Sequence, residues 1–310
     1  MLTKYQPLVS VIVNSYNGSA FINNSINSIL NQTYKNYEII FFDNCSTDST
    51  QKELKKINSN KIKYFKSKKH VRLYHARDLA MNKAKGELIT FLDVDDWWNK
   101  DKLKLQVNCF KDPKVVLSCT NFKIHNKIDN CIYKAFNKIP ELSTNILLKK
   151  NYIGMCTLMF RKKNYHSLKK GFDHRYEIIG DYDLCLRISK DKKIAVLQRC
   201  LSNYRWHKNN LSNTKKELNF KELIFWTSKN SKFRKYENFK YLKQFAYFNL
   251  IITWILNNKK LKSLKYFTKV NFLNLILVTM LLFLPISVFK ILLKITRIIS
   301  SLKRKYFYVA

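Results

Sequence analysis

The chain contains the stretch Leu88-Ile89-Thr90-Phe91-Leu92-Asp93-Val94-Asp95-Asp96-Trp97-Trp98, in which a short apolar run ends in three carboxylates within four residues. A short apolar run is typical of a buried strand. Carboxylates packed this closely repel one another, so they cost stability unless a cation binds them. At the carboxyl end of a strand they lie where open α/β sheets hold ligands. The stretch predicts a site for a hard divalent cation that binds a phosphate-bearing substrate. The alternative is a solvated acidic turn.

Strand and helix patterns alternate along the first third of the chain. Residues 9–13, 37–42 and 62–65 are β-branched or aromatic runs, and helical spacing follows the first two runs. Ser46 or Thr47 is predicted to cap the helix after the second run. Strands alternating with helices through short loops predict an α/β fold with a doubly wound, mostly parallel sheet flanked by helices.

Polar residues follow three of the predicted strands, at 14–17, 43–48 and 93–96. Because parallel strands end at the same edge of a sheet, these clusters are expected to line one crevice. The chain has only five glycines and no Gly-x-Gly-x-x-Gly after its first strand, which excludes the usual dinucleotide site and the P-loop. A nucleotide would be held by side chains and backbone at the strand ends.

The charge balance is strongly basic, with 58 Lys and Arg against 21 Asp and Glu and a formal net charge of +37. Such a charge implies anionic partners, namely nucleic acid, anionic lipid or a phosphorylated substrate, although compositional drift toward Lys, Asn and Ile gives the same balance. Seven scattered cysteines without Cys-x-x-Cys predict free thiols. The apolar run 8–13 is too short for a signal peptide, so the catalytic part is expected in the cytoplasm.

At this point the chain resembles a family 2 glycosyltransferase of the GT-A fold over residues 7–212. The resemblance lies in the order and separation of several short pieces rather than in any one of them. These pieces are Val9-Ser-Val-Ile-Val13, Ser28-Ile-Leu-Asn-Gln-Thr-Tyr34, Tyr37-Glu-Ile-Ile40, Asp43-Asn-Cys-Ser-Thr-Asp48, Ala76-Arg77, Gly86-Glu87, Phe91-Leu-Asp-Val-Asp-Asp96, Gly180-Asp-Tyr-Asp-Leu184 and Tyr204-Arg-Trp-His207.

The resemblance implies a site for a nucleotide-diphospho-sugar and a metal ion, Mg²⁺ or Mn²⁺. Oxygen ligands favour these hard cations. The metal would be held by Asp95, Asp96 and His207. The residues implied to contact the nucleotide sugar are Asn14, Tyr16, Asp43, Arg77, Asp93 and Asp95. For Arg77 the alternative is an ion pair with Asp78 or Glu87.

The resemblance also implies an inverting transfer, in which an acceptor hydroxyl attacks the anomeric carbon opposite the leaving diphosphate. The acceptor must lose a proton, so a carboxylate base is required. Asp181 is the candidate base, with a helix cap as the alternative role. Asp183 faces away on a helix and is expected to pair with Arg187 at i, i+4. Gly180 stands where the family has a Glu, which puts the choice of acceptor in doubt.

The sequence divides into a catalytic domain, 1–215, and a helical, basic and apolar region, 216–310. Residues 270–289 are uncharged and long enough to span a bilayer, but Pro285 interrupts them and both flanks are basic. A basic amphipathic helix follows Pro285. We expect this region to lie in the cytoplasmic leaflet of an anionic membrane; a single span and a soluble helical appendage remain open.

Together these features predict an inverting enzyme at the cytoplasmic face of the cell membrane. It would move a sugar from a nucleotide diphosphate, by default uridine diphosphate, to a hydroxyl of a glycan or lipid-linked acceptor in cell-surface polysaccharide or lipopolysaccharide-type biosynthesis. The alternative is a non-catalytic basic protein that keeps the fold and binds membrane or nucleic acid. No nucleic-acid-binding module is recognisable, so nucleic acid is not an expected partner.

Overall fold

The computed structural model describes residues 5–127, 130–208, 210–271, 274–276 and 278–279. The chain divides into two compact units between Asn210 and Leu211, whereas the sequence pattern placed the boundary after residue 215. The strands of the first unit are β1 (Val9–Ser15), β2 (Tyr37–Asp43), β3 (Ile62–Lys66), β4 (Leu88–Asp93), β5 (Trp97–Trp98), β6 (Val115–Asn126), β7 (Cys131–Lys134), β8 (Met159–Arg161) and β9 (Lys193–Trp206).

These strands form one mixed sheet in the order β3-β2-β1-β4-β8-β6-β9-β5, with β7 paired to β6. The first four strands in that order are parallel, and β8 lies antiparallel between β4 and β6. Strand β9 runs parallel to β6 and antiparallel to the short β5. The predicted α/β sheet is confirmed. Residues Met155–Thr157 form a 3-10 turn before β8 begins.

Every residue of β1 and β2 is buried, which explains their unbroken apolar and β-branched runs. Leu88, Ile89 and Leu92 of β4 are fully buried as well, so the strand that carries the acidic stretch is a central strand. The helices that flank the sheet are α1 (Ile22–Leu30), α2 (Thr50–Lys55), α3 (Leu73–Met81), α4 (Lys102–Cys109), α5 (Thr144–Lys149), α6 (Lys162–His166) and α7 (Gly180–Ser189).

The loops after β1 and β2 are tied together by side chain to backbone hydrogen bonds. Asn17, at φ 50°, donates its N–H to the Ser46 hydroxyl, and its own side-chain oxygen accepts the N–H of Thr47. Ser49 is the N-cap of α2 and makes no side-chain capping bond, so the prediction of Ser46 or Thr47 as cap was wrong. Oδ1 of Asp48 instead accepts the Thr50 N–H and hydroxyl. Burial alone would raise the pKa of Asp48, but these bonds and those from Ser19 lower it to about 2.

The second unit consists of helices. They are α8 (Leu211–Thr214), α9 (Lys216–Lys229), α10 (Asn238–Leu256) and α11 (Lys260–Leu264), with 3-10 turns at Ser231–Phe233 and Phe267–Lys269. Among the described residues, no helix is both long and apolar enough to cross a bilayer. Most of the predicted apolar run 270–289, and all of the amphipathic helix predicted beyond Pro285, lie outside the described residues.

A lysine is fully buried at the start of α4. The Lys102 ammonium donates to the Thr90 hydroxyl at 3.1 Å and lies 3.9 Å from the centre of the Trp98 ring. Burial lowers its pKa to about 7. The unfolded chain holds this proton up to about pH 10. Because the unfolded state then binds more protons, this residue's contribution to stability grows as pH rises from about 7 to about 10, and is lost as pH falls through that window.

We expect Lys102→Met to remove this part of the pH dependence. The free energy of unfolding of the wild-type protein should gain on the order of 5 kcal/mol more than that of the variant between pH 7 and pH 10. Urea unfolding at several pH values measures the difference. Lys104→Met on the same helix is the control, since Lys104 is exposed. If the free energies of unfolding of the wild-type protein and of Lys102→Met change equally with pH, the pKa of Lys102 is not lowered by burial.

Candidate active site

The carboxyl ends of the central strands bring the predicted polar residues to one edge of the sheet. Asn14 of β1 is in register with Asp93 of β4, and Ser15 is in register with Asp43 of β2. Asn14 is 8 % exposed, and neither atom of its amide has a hydrogen-bond partner among the described residues. Because buried polar atoms normally find a partner, this amide marks a place that a ligand can complete.

The acidic turn after β4 is closed by a hydrogen bond from the Asp96 N–H to the Asp93 carbonyl, 3.0 Å long. Its three carboxylates are held by different neighbours. Asp93 bonds the Arg77 guanidinium at 2.7 Å, and Asp95 lies 3.1 Å from His207 Nε2. Asp96 is 2 % exposed and accepts the N–H of Arg205 at 2.9 Å.

Crowding and burial disturb two of these carboxyls. Burial and the neighbouring Asp93 raise the pKa of Asp95, against the opposing effect of His207. Burial, Asp95 and Asp93 together raise the pKa of Asp96 well above its usual range. Like charges in a buried turn disfavour ionisation, so a positive partner would relieve this strain.

Arg77 is the buried positive charge of the site. It is 3 % exposed, and its Nε has no hydrogen-bond partner among the described residues. Burial alone would lower its pKa, but the attraction of Asp93 raises it. The alternative ion pairs were wrong: Asp78 bonds His174, and Glu87 lies 3.5 Å from Arg161.

Arg205 has a larger part in the site than the sequence indicated. Its Nε donates to the carbonyl of Asp95 at 2.9 Å, in addition to the backbone bond to Asp96. Its guanidinium lies 5.1 Å from the Phe21 ring centre and 4.8 Å from that of Trp97. Within residues 204–207 the sequence predicts a role for His207 and none for Arg205. Arg205 therefore fixes the backbone that presents both carboxylates.

The donor set fits a hard divalent cation in its chemistry. Asp95 and Asp96 supply carboxylate oxygens, His207 adds an imidazole nitrogen, and the raised pKa values show a need for positive charge. In the part of the chain that the structure describes, no three His, Cys, Asp or Glu side chains converge as a ready metal cage. Ligands from a bound substrate would have to complete the coordination, as Mg²⁺ sites commonly require.

Asp181 lies in the first turn of α7 and is partly exposed. Its Oδ1 accepts the Tyr182 N–H at 2.7 Å and lies 3.3 Å from the Tyr74 hydroxyl. Burial raises the pKa of Asp181, and Arg77 opposes this rise. Asp183 pairs with Arg187 at 2.7 Å, which confirms the expected i, i+4 pair and leaves Asp181 as the acid that faces the site network.

The two remaining predicted residues have contrasting environments. Tyr16 is 51 % exposed and its ring lies 4.2 Å from that of His70, so it offers an aromatic face. Asp43 is fully buried, and its two oxygens accept the Ser46 N–H at 2.7 Å and the Tyr64 hydroxyl at 2.8 Å. Asp43 therefore shapes the loop beside Tyr16 and reaches a ligand only if one of these bonds opens.

Comparison with known proteins gives a consistent family. Residues 10–168 match glycosyl transferase family 2. The chain is 32 % identical over 219 residues to the Escherichia coli UDP-Glc:alpha-D-GlcNAc-diphosphoundecaprenol beta-1,3-glucosyltransferase WfgD, a match that covers 70 % of this chain and 82 % of that protein.

Solved structures share the fold. S. aureus TarS 1–349 in complex with UDP-GlcNAc aligns with a TM-score of 0.65 at 17 % identity, covering 85 % of this chain and 81 % of that one. The Pyrobaculum calidifontis mannosyltransferase PcManGT, in complex with GDP-Man and Mn²⁺, also aligns at 0.65 with 16 % identity, covering 98 % and 89 %. The predicted GT-A fold is thereby confirmed.

We expect Arg205→Met to weaken Mn²⁺ binding by about 10- to 100-fold, because supporting residues that orient metal ligands typically have effects of that size. Isothermal titration with Mn²⁺, with and without nucleotide diphosphate, measures the change. Arg199→Met on the same strand is the control, since Arg199 is exposed. Equal affinities in the two variants would show that Arg205 does not support the acidic turn.

Proposed function

The chain belongs to glycosyl transferase family 2, and from this we propose that it transfers a sugar from uridine diphosphate to a hydroxyl of a lipid-linked or cell-surface glycan, with inversion at the anomeric carbon. The glycosyltransferase activity follows from the family. The donor and the acceptor are proposals, supported by the UDP-glucose donor and the diphosphoundecaprenol acceptor in the name of the E. coli relative.

One arrangement carries the proposal: the acidic turn and the candidate base are connected through two buried residues, Arg77 and Tyr74. Arg77 bonds Asp93 of the turn at 2.7 Å and stands over the ring of Tyr74, whose hydroxyl lies 3.3 Å from Asp181. A transferase needs its leaving-group site and its proton acceptor at a fixed separation on either side of the reacting carbon. These contacts would hold the acidic turn and Asp181 at a fixed separation.

In the proposed reaction, Asp181 takes the proton of the acceptor hydroxyl as its oxygen attacks the anomeric carbon. The bond from that carbon to the diphosphate oxygen breaks, and the nucleotide diphosphate leaves. The transition state has oxocarbenium character. Asp181 suits this role because its pKa is raised by burial, which makes a carboxylate a better proton acceptor near neutral pH.

The donor would lie along the strand ends, with its base against the exposed face of Tyr16 and its ribose near the unpartnered amide of Asn14. Asp95, Asp96 and His207 would hold Mg²⁺ or Mn²⁺, which supplies positive charge to the leaving diphosphate. Arg77 remains with Asp93 and keeps that carboxylate from repelling the phosphates.

We expect metal-dependent release of UDP from one member of a panel of UDP-sugars, and loss of that release in two variants. Asp96→Ala should lower kcat by at least about 100-fold by removing a carboxylate of the cation site. Asp181→Asn should lower kcat by about 100- to 10,000-fold, as expected for a lost general base, while still binding UDP. Coupled detection of UDP and titration calorimetry give the two quantities.

Asp112→Asn is the matched control, because the Asp112 carboxylate pairs with Lys193 and accepts the Lys114 N–H at the surface. It should retain wild-type turnover. Failure of every UDP-sugar to bind with either metal would refute the UDP donor, and full turnover by Asp181→Asn would refute the base. Binding of a sugar donor also separates this proposal from a non-catalytic basic protein that keeps the fold.

We also propose that the second unit docks on an anionic membrane surface at the cytoplasmic face. Aromatic side chains meet at the surface of α9 and α10: the ring of Phe245 lies 6.2 Å from that of Phe220 and 6.4 Å from that of Tyr241. Tyr241 and Phe245 are 47 % and 41 % exposed. We call Phe220, Tyr241 and Phe245 the aromatic patch.

The charge around the patch favours anionic lipid over other occupants. Lys216, Lys240 and Lys243 are exposed on the same two helices, and no acidic residue follows Glu237 in the sequence. Basic residues near anionic lipid contribute about 1 kcal/mol each, and inserted aromatic rings add apolar burial. A lipid-linked acceptor would itself be anchored in the membrane to which the second unit is proposed to bind.

We expect the protein to cosediment with vesicles that contain phosphatidylglycerol and not with pure phosphatidylcholine vesicles. Replacing Tyr241 and Phe245 by Ser should reduce binding by at least about tenfold, since two aromatic side chains are withdrawn from the interface. Ile132→Ser is the control, because Ile132 is 63 % exposed in the first unit. Equal binding to the two vesicle types would count against a charged membrane surface.

A further inference from the structure

Gly180, the residue before the candidate base, has no room for a side chain. A Cβ atom at this position would lie 2.5 to 2.7 Å from three ring carbons of Tyr74. Real Cβ contacts are essentially never that short, and the ring cannot easily give way, because Tyr74 is only 2 % exposed. Its ring stacks on Phe172 at 5.5 Å, with the Arg77 guanidinium 5.3 Å from its centre.

The hydroxyl of Tyr74 reaches past Gly180 to the base itself. Its single proton is shared between the carbonyl of Ile178 at 2.7 Å and Oδ1 of Asp181 at 3.3 Å, so the bond to Asp181 is the longer branch. The same Oδ1 accepts the Tyr182 N–H at 2.7 Å. Within the described part of the chain, Oδ2 of Asp181 has no hydrogen bond. One oxygen of the carboxylate is thus anchored, and the other is free to accept a proton.

We propose that Tyr74 is the positioning residue of the catalytic base, and that Gly180 is its obligatory partner. The ring occupies the space that a side chain at 180 would need, and the hydroxyl anchors Oδ1 so that Oδ2 faces the acceptor. This inference rests on the proposed role of Asp181. It gives a physical reason why the residue before the base is glycine in this chain.

A purely structural role for Tyr74 makes different predictions from a positioning role. If the ring only fills space, removing the hydroxyl leaves the base unaffected. If the hydroxyl positions the base, its loss removes a hydrogen bond to the ionised carboxylate, which raises the pKa of Asp181. Tyr74→Phe keeps the ring and its packing but also removes the bond to the Ile178 carbonyl, so the pKa of Asp181 is the readout that separates the two roles.

For Tyr74→Phe we expect kcat to fall by about 3- to 10-fold, the range of one net hydrogen bond, with the donor KM unchanged. The acid limb of the pH profile of kcat should move to higher pH. Tyr165→Phe is the matched control, because Tyr165 is also a buried tyrosine whose hydroxyl bonds a carboxylate, that of Asp78. An unchanged kcat and pH profile in Tyr74→Phe would overturn the proposal.

A second readout does not depend on activity. Titration of the Asp181 carboxyl carbon by NMR, assigned with Asp181→Asn, should show a higher midpoint in Tyr74→Phe than in wild type and no change in Tyr165→Phe. If Asp181→Asn proves fully active, the proposed base fails, yet the titration still tests the anchoring by Tyr74. An unmoved midpoint overturns the anchoring even if Asp181 is the base.

The partnership with Gly180 is tested by a double-mutant cycle. Gly180→Ala should lower kcat by at least about tenfold in the wild-type background, because the ring of Tyr74 forces the turn at Asp181 to shift. In the background of Tyr74→Ala, where the ring is absent, Gly180→Ala should cost no further activity or thermal stability. Additive effects of the two substitutions would show that the residues are independent.

Discussion

The site depends on one electrostatic constraint, the repulsion among the carboxylates of Asp93, Asp95 and Asp96 at the end of a central strand. The protein meets it with positive or hydrogen-donating groups from distant parts of the chain. Arg77 comes from α3, while Arg205 and His207 come from the end of β9 and the residue beyond it. Burial and, after it, the neighbouring carboxylates raise the pKa values of Asp95 and Asp96 in spite of these partners. In the proposed function a cation bound with a phosphate-bearing donor would compensate for both effects.

The mixed arrangement of the sheet contributes a partner to the acidic turn. Here β9 runs antiparallel to the short β5, with Trp97 opposite Asn203, and so brings Arg205 against the turn. The guanidinium is then held between Phe21 and Trp97, which places residues from three separate segments around one backbone carbonyl. Arg205 at the end of β9 therefore connects the sheet to the site, as the carboxylates at the end of β4 do.

Features that arise from local pattern were predictable from the sequence. The strand ends, the α/β alternation and the Asp183–Arg187 pair follow from spacing along the chain, and the structure has all of them. The partner of Arg77 and the role of Arg205 were not found, because each depends on which distant residue folds nearby. No sequence pattern pointed to Tyr74 either. Its proposed role depends on Gly180, 106 positions later, and the close approach of the two residues is visible only once α3 and α7 are packed together.

Arg77 links the acidic turn to Asp181, the proposed base, because it is a buried cation that bonds Asp93 and attracts Asp181. Its attraction to Asp93 keeps it charged despite burial, and the same charge limits how far burial raises the pKa of Asp181. Two opposed effects therefore act on the pKa of Asp181, the proposed base. Desolvation raises it, while the charge of Arg77 and the Tyr182 N–H oppose the rise. Arg77 bonds Asp93 through Nη2, and its Nε has no hydrogen-bond partner among the described residues. In the proposed reaction a cation at Asp95 and Asp96 would neutralise the leaving diphosphate, so Arg77 would keep its bond to Asp93 and its attraction to Asp181 while the sugar is transferred.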